Sequence, residues 1–144
     1  VFVGPKSLKM TGSKPEDVKG KSIGVQTSTP NADYLNKYHA KSAKIRIYNT
    51  QDEVNADLAA GRIDLQVADE TGIYDFLKTP DGAKMEKKGT LPKDPLFGPG
   101  IGAGLRKSDA ALKKQFDEAI KAINSSGEFK TIQAKYFDFD LSAR

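Results

Sequence analysis

Between residues 22 and 79 the chain switches three times from a strand pattern to a helix pattern, and that order leaves few folds open. "SIGVQ" (22–26) is short, apolar and β-branched, and it follows the turn residues "KGK". "STPNADYLNKYHAK" then opens a helix: Thr29 is a good N-cap, Pro30 suits the first helical position, and Tyr34, Leu35 and Tyr38 recur at helical spacing. "AKIRIYN" (43–49) alternates apolar and basic residues as a half-buried strand does. In "TQDEVNADLAAGR" Thr50 caps a helix, Glu53 stands three residues on, and Gly61 ends it. The third pair is "IDLQVAD" (63–69) and the short helix "ETGIYDFLKT" (70–79).

Turns this short between alternating strands and helices imply right-handed βαβ units and a largely parallel sheet. Ligands of such sheets bind beyond the carboxyl ends of the strands, often against a helix N-terminus. The junctions "QTSTPN" (26–31) and "VADET" (67–71) have that geometry, and as ends of strands in one sheet they can face one cleft. The first offers hydroxyls and backbone N–H groups at a helix start, which suits a carboxylate, or is an ordinary capped helix. The second sets Asp69 at the end of an apolar strand, where a carboxylate needs water or a cation, or serves as N-cap of the next helix. Together they suit a zwitterion, the carboxylate at one junction and the ammonium at the other.

The flanks are less regular. "VFVGPKSL" predicts an opening strand running into a loop, and with Val1 first and no signal peptide the chain has the look of a processed or truncated piece. Residues 80–95 are turn-rich, with a strand expected only around 84–88. "FGPGIGAGLRKSD" (97–109) fails both phosphate-loop spacings: the G-x-x-x-x-G-K-[ST] count falls on Ala103 or Leu105, and G-x-G-x-x-G falls on Leu105. Its alternating small residues fit a strand or hinge passing close to another backbone. Beyond it Ser108 is the expected N-cap of a helix carrying Leu112, Phe116, Ala119, Ile120 and Ile123 on one face. After Gly127 a second helix carries Phe129, Ile132, Tyr136 and Phe137. Neither has a strand of its own to cover it.

The remaining chemistry is thin. Twenty-three basic residues interleaved with nineteen acidic ones give +4 without a basic stripe, which argues against nucleic acid as a partner. Without cysteine there is no disulfide, thiolate site or Cys nucleophile. His39, the only histidine, sits among polar residues and is expected to be solvated; no Ser lies in a nucleophile elbow for it to serve. Asp69 and Glu70, being adjacent, point apart and make a poor acid/base pair, and no EF-hand spacing accompanies them or Asp138 and Asp140. Neither a catalytic set, a metal site nor a cofactor motif emerges.

"DVKGKSIGVQTSTPNADYL", "AGRIDLQVADE", "FGPGIGAGLRKSDAAL" and "YFDFDL" resemble, in order and over the whole chain, the polar amino-acid substrate-binding proteins of bacterial ABC transporters. The lysine/arginine/ornithine- and histidine-binding type (solute-binding family 3) is the nearest subgroup. The resemblance implies a type II periplasmic-binding fold of two α/β lobes joined by hinge strands. In that frame residues 1–4 are the first hinge crossing, 5–95 the second, C-terminal lobe and 96–104 the return hinge strand. Residues 105–144 become C-terminal helices that pack on a first lobe absent from this sequence. It further implies a periplasmic location, an amino acid or opine as ligand, and an ABC permease at the inner membrane as partner. A second copy of the chain, by swapping, is the other candidate to cover the helices.

By position, Asp69 matches the carboxylate that holds the ligand's α-ammonium, and Gln26, Thr27, Ser28, Thr29, Pro30 and Asn31 match the loop and helix start that receive its carboxylate. The family commonly has a glycine and then two Thr/Ser in this loop; here Ser28, Thr29 and Pro30 fill those places. Pro30 removes a hydroxyl and an N–H, so either Thr29 and Asn31 carry carboxylate binding or the ligand is a modified amino acid. An effector domain of a transcription regulator and a dehydratase share the lobe architecture and are the alternatives.

Overall fold

The computed structural model describes residues 1–10 and 12–141. Its sheet holds β1 (Phe2–Pro5), β2 (Ser22–Gln26), β3 (Lys44–Tyr48), β4 (Leu65–Val67) and β5 (Met85–Gly89), in the order β3-β2-β4-β1-β5. β2 pairs in parallel with β3 and with β4, whereas β1 is antiparallel to both β4 and β5. Four strands therefore point one way and β1 returns between two of them. The helices are α1 (Pro30–Tyr38), α2 (Gln51–Ala59), α3 (Glu70–Leu77), α4 (Ala110–Ser125) and α5 (Glu128–Gln133).

The chain divides into two compact units, Val1–Gly98 and the part from Pro99 onward. In the first unit the sheet is covered on both faces. Ala32 and Leu35 of α1 join Ile23, Val25, Leu65 and Val67 on one side. Val54 and Leu58 of α2 and Ile73 and Phe76 of α3 join Val3, Ile63 and Met85 on the other. Right-handed crossovers that leave β2 in one direction and return past it in the other place their helices on opposite faces, which is the observed division. α2 lies close over β2: a Cβ at Gly24 would meet Ile63 Cδ1 at 2.5 Å and Val54 Cγ1 at 2.9 Å, so a side chain there would have to displace both.

The local signals place these elements well. Thr50 and Glu53 form a reciprocal capping box at the start of α2, and Gly61, at φ +70°, follows its last turn. β4 takes only Leu65–Val67 of that run, and Ile63 before it packs in the core with Val54 and Leu58 of α2. Residues 85–89 do form a strand, and the segment after it is tied to α1: Tyr38 Oη donates to Asp94 Oδ2 at 2.7 Å, and Phe97 stacks on Tyr34 with ring centroids 5.2 Å apart.

Two expectations need correction. His39 is not solvated; it caps α1 with no exposed surface, between the rings of Phe2 and Tyr34, and its Nε2 donates to the Ser13 carbonyl at 2.9 Å. Its polar sequence neighbours concealed that the last turn of α1 rolls this position onto the loop carrying Ser13. In the second unit Asp109, not Ser108, holds the N-cap position of α4, and the Ser108 hydroxyl donates to Asp109 Oδ1 at 3.1 Å instead of to the helix.

Residues 101–106 form neither helix nor strand, Gly98 and Gly100 have φ of +62° and +132°, and a Cβ at Gly102 or Gly104 would meet nothing within 4 Å. α4 and α5 pack on each other but bury no residue: Leu112, Phe116 and Ile120 are 41%, 43% and 52% exposed. No described helix is long and apolar enough to cross a membrane.

A pocket at the ends of two parallel strands

β2 and β4 are neighbours, and the connection to β3 leaves on one side while β4 lies on the other, so the strand order reverses between them. At such a reversal the loops beyond the strand ends part and leave a crevice. A pocket of about 220 Å³ lies there, with Gln26 and Thr29 from the end of β2, Asn31 from α1, Gln51 from the start of α2, and Asp69 and Thr71 from the β4–α3 junction among its walls.

Thr29 caps α1, accepting from Ala32 N–H at 3.2 Å while its hydroxyl donates to the Gln26 carbonyl at 2.8 Å. Its side chain is thus committed at both ends. Pro30 at the first helical position has no N–H, which leaves Asn31 N–H as a first-turn donor without an intrahelical acceptor. Ser28 holds the turn at φ +57°, the only described non-glycine residue with positive φ. Thr27 continues the sheet, its N–H donating to the Tyr48 carbonyl at 2.8 Å.

Asp69 occupies the N-cap position of α3 but makes no capping hydrogen bond with its side chain. Its carboxylate is solvent-exposed, and Oδ1 accepts from Asn31 Nδ2 at 3.0 Å, a link between the two junctions. Glu70 turns away and pairs with Lys87 of β5, so the adjacent carboxylates do part company. Of the seven residues singled out from sequence, Gln26, Thr29, Asn31 and Asp69 line the pocket; Thr27, Ser28 and Pro30 shape the turn behind it. Gln51 and Thr71 were missed. Gln51 follows a different strand, and only the β3-β2-β4 order brings it here.

The first unit is thus an open α/β sheet with a small pocket at its reversal point, walled by a helix start and a carboxylate. Residues 12–139 match the model of bacterial extracellular solute-binding proteins, family 3, and the chain belongs to that family. It is 39% identical over 129 residues to the histidine-binding periplasmic protein of Escherichia coli, spanning 88% of this chain and 50% of that protein. Over 129 residues it is 40% identical to the L-arginine-binding protein of Pseudomonas aeruginosa (87% and 49% covered). The octopine-binding periplasmic protein of Rhizobium meliloti is 34% identical over 141 residues (85% and 48%). Among solved structures an ancestral arginine-binding protein bound to arginine superposes with a TM-score of 0.74 at 25% identity, over 94% of this chain and 58% of that one. The chain thus spans about half the length of the curated relatives it matches.

Proposed function

We propose that the chain is the second lobe of a periplasmic substrate-binding component of an ABC importer, taking polar or basic amino acids or opines, and that it binds without chemistry. The observation that carries this reading is the Asn31–Asp69 link, which joins an anion-accepting helix start to a carboxylate within one small pocket. The ligand's α-ammonium displaces the Asn31 amide from Asp69, and its carboxylate takes the Asn31 N–H and the backbone of the 26–31 turn. A first lobe closes the other side, the segment 96–104 is the return hinge, and the closed pair is presented to the permease. The apolar stripes of α4 and α5 are covered by that first lobe, or by a second copy through swapping. The relatives' binding of histidine, L-arginine and octopine supports the ligand class.

With one wall of the site, affinity is expected on the order of millimolar, against the micromolar or tighter binding of a closed cleft. Amide NMR of the chain titrated with L-arginine, L-lysine, L-histidine, L-glutamine and octopine checks this. Shifts should concentrate at residues 26–31 and 68–72 for at least one ligand and vanish in Asp69→Ala. Saturation at micromolar ligand would contradict the half-site reading, and turnover of prephenate or arogenate would contradict binding without chemistry.

A further inference from the structure

Gln51 opens α2 and lines the same pocket as Thr29, Asn31 and Asp69. Its Nε2 donates to Gln66 Oε1 at 2.7 Å and to Asn55 Oδ1 at 3.1 Å. A side-chain amide nitrogen has two hydrogens, so both are spent on the protein and only the carbonyl oxygen, Oε1, is left to a ligand. Gln66 fixes this arrangement. It lies wholly buried on β4, in register with Gly24 on one side and Val3 on the other, between the apolar Leu65 and Val67. Its own Nε2 is buried without a partner, a costly state that no packing need of the strand explains. What the buried amide does accomplish is to hold the Gln51 head group with its acceptor free.

An α-ammonium carries three N–H donors and needs as many acceptors when desolvated. With the Asn31 amide displaced, Asp69 turns at most its two carboxylate oxygens to the ammonium, which leaves a third N–H without an acceptor. We propose that Gln51 Oε1 is a second acceptor for the ligand's ammonium beside Asp69, and that Gln66 and Asn55 are positioning residues that present it. The proposal rests on the pocket being the amino-acid site, and it adds that the α2 side of that pocket selects for a protonated amine.

The test compares L-arginine with 5-guanidinopentanoate, which keeps the carboxylate and guanidinium and lacks the ammonium. Both are titrated by NMR into the chain, into Gln51→Met, and into the double variant Gln51→Met/Gln66→Met. The double variant replaces both amide partners with apolar groups of similar shape and so keeps the fold intact. Loss of one hydrogen bond to a charged group should weaken arginine roughly tenfold in both variants and leave 5-guanidinopentanoate unchanged. Equal weakening of both ligands makes Gln51 merely structural and overturns the proposal, as does unchanged arginine affinity. No perturbation of the unsubstituted chain by any amino acid would overturn the functional reading and this proposal with it.

Discussion

Ser28 sits at φ +57° in the turn before α1, where most side chains crowd the backbone. The resemblance drawn from sequence implies a glycine at this place, and this dihedral is one that glycine takes without crowding. The turn must reverse direction between the end of β2 and the Thr29 cap, and a left-handed residue does so in one step. Ser28→Gly should therefore stabilise the chain by about 0.5–1 kcal/mol, the relief of backbone crowding exceeding the added freedom of the unfolded chain. A rise in the urea midpoint at unchanged slope would confirm it; a fall would mean that the serine hydroxyl makes a stabilising contact in solution. His39 teaches the opposite lesson at the same scale. Nothing in "KYHAK" distinguishes a solvated histidine from a buried one, because its burial depends on Phe2 and Ser13, both more than twenty residues away in the chain.

Between elements, Ser22 and Asp64 clip the start of β2 to the start of β4. Asp64 Oδ2 accepts from Ser22 N–H at 2.8 Å and from the Ser22 hydroxyl at 2.7 Å. Partial burial pushes the Asp64 carboxyl up, but the two bonds from Ser22 outweigh it and hold it below the ordinary carboxylate range. A carboxylate depressed in the folded state contributes stability that is complete above its unfolded pKa and is lost as pH falls through the folded value. Thermal melts of the chain should therefore lose stability below about pH 4, and Asp64→Asn should flatten that acid limb while lowering the midpoint at neutral pH. An unaltered acid limb in the variant would assign the loss to other carboxylates. The capping box on α2 was legible in sequence because all its atoms lie within four residues. The Ser22–Asp64 clip was not, because it joins segments forty-two residues apart.

At the scale of the molecule, every buried apolar residue among those described lies at or before Met85, so the first unit holds both cores by itself. A chain ended at Gly98 should thus unfold cooperatively with a midpoint close to that of the full chain. The exposed stripe of Leu112, Phe116 and Ile120 should make the full chain associate with rising concentration, an effect the shortened chain lacks. Light scattering on both checks this, and a monomeric full chain would show that the stripe finds cover within one molecule.

The sequence by itself determined the order of elements, the caps of α1 and α2, the presence of a carboxylate and a helix start at two strand ends, and the family. The elements and caps depend on residues within one turn or one strand of each other, where spacing and side-chain type suffice, and the family on the order of short motifs along the chain. Only the tertiary structure decided that Asn31 holds Asp69, that Gln51 joins them from a third strand end, and that His39 and Gln66 lie buried. Those are matters of strand order and crossover direction, which bring together residues that no local pattern relates.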